Sequence, residues 1–80
     1  MGLDAASLAI AYEEALGVVI TDAAAARMRT PRDVIDYFAA HLPERTRDEI
    51  AEVVRRVTLE QLGNVDYAED KFFIQDFGMS

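Results

Sequence analysis

An all-α fold is expected for this chain: a four-helix bundle in which one helix is only a turn or two long. Three features predict it. Apolar residues recur at three- and four-residue spacing in several separate stretches. Thr30-Pro31-Arg32-Asp33 and Thr46-Arg47-Asp48-Glu49 both carry helix-start signals. Gly17, Pro43 and Gly63 each fall where such a stretch ends. The 80 residues suffice for one core, so residues 1–80 are read as a single domain.

The first helix begins after Asp4, a natural N-cap, and places Leu8, Ala11, Tyr12, Ala15 and Leu16 on one apolar stripe. Gly17 closes it. Val18-Val19-Ile20 follows as an extended, buried segment. Asp22 then caps a short helix over 23–28, where alanine favours the helical state. The third helix starts with Thr30 as N-cap, Pro31 at the first helical position and an acid at the third. Its core face is Val34, Ile35, Phe38 and Leu42, and Pro43 ends it.

Pro43–Thr46 is the only linker-like stretch. The fourth and longest helix opens on the capping box of Thr46 and Glu49. Ile50, Val53, Val54, Val57 and Leu62 form its core stripe, with Glu52 and Arg56 as an exposed pair one turn apart. Gly63-Asn64 stops it. A loop from Val65 to Lys71 leads to Phe72-Phe73-Ile74 and Asp76-Phe77-Gly78-Met79-Ser80, with Phe72, Phe73 and Phe77 expected in the core.

Fifteen acids against eight bases give a net charge of −7. Nucleic acid needs clustered Lys and Arg to neutralise phosphates, so it is excluded as a partner, and basic protein surfaces suit this chain better. With no cysteine, disulfides and thiolate metal sites are ruled out. The apolar runs are too short for a bilayer and no signal peptide is visible, so no membrane association is expected and the location is read as cytoplasmic. His41, the one histidine, belongs to a helix's last turn, where it favours the dipole. Oxygen-ligand metal sites need several converging acids; the sequence offers the pairs Glu13-Glu14, Asp33/Asp36 and Glu69-Asp70, and the segment Asp66–Asp70 lacks calcium-loop spacing, so no metal is expected. Nothing in these motifs reads as an enzyme.

Taken together, the motifs resemble those of the acyl carrier protein family with the two halves in circularly permuted order. Residues 46–80 are similar to that family's first half: Glu60-Gln61-Leu62-Gly63 matches the end of its long first helix, and Phe73-Ile74-Gln75-Asp76-Phe77-Gly78 the approach to its Asp-Ser-Leu turn. Residues 2–42 resemble its second half. Leu3-Asp4 through Glu13-Glu14-Ala15-Leu16-Gly17 matches its recognition helix, while Ile20-Thr21-Asp22 and Thr30-Pro31-Arg32-Asp33 match the loop and helix start that follow.

The resemblance implies a carrier of 4′-phosphopantetheine that works with fatty-acid or polyketide-type biosynthetic enzymes. The cut falls at the family's attachment serine. Gly2 stands at that position and has no hydroxyl; Ser80, aligned with the preceding Asp, is the nearest hydroxyl and the candidate attachment residue. The implied partner interface comprises Leu3, Asp4, Ala6, Ser7, Ile10, Glu13 and Glu14, facing basic surfaces of such enzymes or of a regulatory protein. Ser7 replaces an acid there. The alternative implied role is a non-acylated interaction or regulatory adaptor that keeps the carrier fold. A monomer is expected; the alternative is a dimer that exchanges halves.

Overall fold

The computed structural model describes residues 5–63 and 65–79. Four helices follow one another: α1 (Ala5–Leu16), α2 (Asp22–Arg27), α3 (Pro31–His41) and α4 (Arg47–Leu62). No strand occurs among the described residues. Helix α4 is the centre of the packing, with α1 and α3 both resting against it. The Cα radius of gyration, 11.5 Å, is that of a compact domain of this length.

The core is one cluster. It takes Leu8, Tyr12 and Leu16 from α1; Val34, Ile35 and Phe38 from α3; and Ile50, Val54 and Val57 from α4. Ile20, Leu42, Phe73, Phe77 and Met79 complete it from the connections and the C-terminal segment. Ala15 of the expected α1 stripe is exposed, and Val53 and Leu62 of α4 are only partly buried. Among the described residues, Thr58 joins the core as a fully buried polar residue. Its hydroxyl donates to the Val54 carbonyl at 2.7 Å, using its single proton. The Tyr12 phenol must therefore donate to Thr58 Oγ1, 2.6 Å away, and this bond ties α1 to α4.

The start signals act as their chemistry dictates. Thr30 and Thr46 each accept the N–H of the third helical residue, and Asp33 and Glu49 reach back to the cap N–H. Asp22 does not cap α2. Thr21 does, because its backbone is extended (φ −70°, ψ 157°) and its hydroxyl accepts the Ala24 N–H at 3.1 Å. Asp22 is instead the first helical residue. The cap expected at Asp4 and the stop at Asn64 lie outside the described residues. Gly17 closes α1 at φ 75°, a conformation that side chains resist, and its N–H reaches the Glu13 carbonyl at 2.7 Å.

Two further expectations need correcting. Val19 is 73% exposed, so of the Val18–Ile20 run only Ile20 is buried. Phe72 is 42% and Ile74 69% exposed. The reason is a single turn over 73–77, in which Asp76 N–H and Phe77 N–H both reach the Phe72 carbonyl. Phe73 and Phe77, four apart, then face inward with ring centroids 6.0 Å apart, while Phe72 and Ile74 face out. Gly78, at φ 72°, turns the chain so that Met79 N–H pairs with the Phe73 carbonyl and the Met79 side chain enters the core.

Candidate functional site

An apolar groove of about 850 Å³ lies between α1, α2 and the segment 72–79. Its floor is core: Leu8, Tyr12, Ile20, Val34 and Phe73. Its walls are low because the residues facing it are alanines, Ala5, Ala6 and Ala9 on α1 and Ala25 and Ala26 on α2. Larger side chains there would fill the space. Ile10 at 52% exposure, together with Phe72 and Ile74, forms an apolar rim. Volume and lining are those of a small-molecule or peptide site.

Residues from near both ends of the described chain, Ala5 and Met79, line this one groove. No family model, curated protein or solved structure matches this chain. What the site can do therefore follows from its own chemistry.

Among the residues expected at a partner interface, Ala6, Ile10 and Glu13 line the groove. Ser7 and Glu14 are exposed seven residues apart on α1, which puts them on one line of the helix surface, away from the groove. Leu3, Asp4, Gly2 and Ser80 lie outside the described residues. Glu13 is not a free surface acid: its carboxylate accepts the Ile20 N–H at 2.6 Å and holds the loop after α1.

Three more of the carboxylates singled out in the sequence, Asp33, Asp36 and Glu69, have partners. Asp33 accepts the Arg29 and Thr30 N–H groups at 2.9 and 3.1 Å. Asp36 pairs with Arg47 at 3.6 Å, and Glu69 with Arg47 at 3.1 Å and Arg32 at 4.0 Å. The expected Glu52–Arg56 pair is not formed among the described residues. His41 stacks on Tyr37 with ring centroids 4.3 Å apart, and its Nδ1 meets the Tyr37 carbonyl at 2.8 Å. No group of three or more His, Cys, Asp or Glu among the described residues is arranged to hold a metal. No helix among them is long and apolar enough to cross a membrane.

Phosphopantetheine attachment needs an aliphatic hydroxyl at the site. No described residue lining the groove is a serine or threonine, and Gly2 supplies none. The groove suits an apolar cargo, and the expected attachment residue, Ser80, lies outside the described residues.

Sequence reasoning misses Met28, Phe72 and Ile74 as groove residues. The alanine repetition in Asp22–Arg27 is the available signal. Alanine favours the helix, and on a packed face small residues also leave room.

Proposed function

We propose that this chain is a non-enzymatic, acyl-carrier-like domain that works with enzymes of fatty-acid or polyketide type. One observation carries the reading. Followed from Arg47 and round through the chain ends, the elements run as a 16-residue helix, a long irregular segment, then helices of 12, 6 and 11 residues. That is the succession the sequence resemblance implies once its halves are exchanged, and residues from near both ends meet on one groove. The exposed residues Ala6, Ser7, Ile10 and Glu14 of α1 are the surface offered to a basic partner.

The test is intact mass after incubation with coenzyme A and a broad-specificity phosphopantetheinyl transferase. A carrier gains one phosphopantetheine, which peptide mapping places on Ser80. An unchanged mass on a folded chain removes covalent carriage.

A second reading is favoured by Gly2, which stands where the resemblance places the attachment serine and has no hydroxyl. In it the fold serves as a non-acylated adaptor. Its signature is an unmodified chain that still captures a defined enzyme or regulator through α1, with capture reduced by Ile10→Asp.

A further inference from the structure

The chain before Pro43 and the chain after Arg45 are interlocking halves, and the line between them is sharp. Every residue from Pro43 to Glu49 is exposed, so the core has a gap there, bounded by Leu42 and Ile50. One turn bond, from Arg45 N–H to the Leu42 carbonyl, holds the crossing. The capping box of Thr46 and Glu49 belongs wholly to α4, and Pro43 keeps α3 from running on into it. Straightening residues 43–45 therefore breaks one turn bond and leaves both helices intact.

Each half is completed by the other. Helices α1 and α3 pack chiefly on α4. The Tyr12 hydroxyl donates to Thr58 Oγ1, Arg32 N–H to the Glu69 carbonyl and Phe73 N–H to the Arg29 carbonyl, and Asp36 pairs with Arg47 across the same line. The groove is shared too: Ala6, Ile20 and Ala26 come from the first half, and Phe72, Phe73 and Met79 from the second. A second copy offers identical surfaces, so each of these contacts is remade when two chains open and trade halves. The balance between closed and exchanged forms then lies in the crossing and in concentration, not in the core.

We propose that this chain exchanges halves with a second copy by opening the crossing at 43–45, giving a dimer in which each groove is walled by two chains. At low concentration the closed monomer wins, because the short connection keeps its own halves together. An unchanged mass in the transferase assay leaves the exchange standing, since it draws on packing and not on carriage.

Complementation tests it. Ile35 and Val54 are fully buried, so Ile35→Asp and Val54→Asp each enclose an unpaired carboxylate and should unfold the chain that carries them. Mixed at about 1 mM, where a second molecule rivals a short connection, the two chains should regain about half of the parent's helical circular dichroism. The sound first half of one then meets the sound second half of the other. Ile35→Asp mixed with Val34→Asp, both in the first half, should regain nothing. The parent gives an independent readout: refolded from urea at the same concentration, it should show a species of twice the chain mass by light scattering. Its share should rise with salt, because two charges of −7 are gathered in one particle. A mixture no more helical than its separate parts overturns the exchange, as does a parent that stays monomeric. Recovery in the same-half mixture, or a dimer share that falls with salt, assigns the contact to the outer surface and likewise overturns it.

Discussion

Tyr67 stacks its ring on Phe77, with centroids 6.1 Å apart, and buries its hydroxyl with no hydrogen-bond partner among the described residues. Burial first, and then the charge of Glu69, pushes this phenol up to about 12. An unfolded tyrosine ionises near pH 10. Below that pH both states hold the proton and the contribution to stability is complete. Between about 10 and 12 the unfolded chain releases a proton that the folded chain keeps, so stability falls. Tyr67→Phe removes an unsatisfied hydroxyl and should stabilise the chain by about 1 kcal/mol at pH 7. It should also reduce the alkaline loss, leaving the share of Tyr12, whose phenol burial likewise raises. Urea melts at pH 7, 10 and 11 test both parts; a less stable Tyr67→Phe at pH 7 would contradict the account.

At the scale of elements, local chemistry is the part that can be read from sequence. A capping box lies within four consecutive residues, so the pairing of Thr30 with Asp33 and of Thr46 with Glu49 is legible in the order of residues alone. Contacts across longer separations are not. Glu13 latches Ile20 seven residues away, and Tyr12 meets Thr58 across 46. No periodicity encodes such pairs. The exposure of Phe72 is illegible for a related reason: an apolar run does not say which members a single turn will face inward. Glu13→Ala should therefore act on the loop after α1 more than on α1 itself. The Ile20 amide should exchange faster with solvent, while amides in the middle of α4 slow or quicken only with global stability. Uniform change across all amides would argue against a local latch.

The whole molecule is closed by the segment after α4, which folds back on the start of α3. Arg32 N–H donates to the Glu69 carbonyl at 2.9 Å, and Phe73 N–H to that of Arg29. Around them, Arg47 sits between Asp36 and Glu69, with Arg32 at the edge. Exposed ion pairs contribute little and are screened. Glu69→Gln should cost less than about 1 kcal/mol at low salt, and the difference should vanish in about 1 M sodium chloride. A difference that persists would give the charges a larger part than the backbone bonds. The all-helical class and most core positions are legible in the sequence because stripes and stops repeat along the chain. The groove is not, because it arises from small residues on two helices that only the fold brings together.

Between α3 and α4 the chain crosses the surface through exposed Pro43–Thr46, with one turn bond from Arg45 N–H to the Leu42 carbonyl at 3.0 Å. Phe38, Ile35 and Val34 are on one side of that crossing, and Ile50, Val54 and Val57 on the other. Neither side holds enough apolar surface to close a core alone. The crossing therefore works as a tether that sets the effective concentration of two mutually dependent fragments. Severed there, the protein becomes a two-component switch whose folding depends on how much of each piece is present.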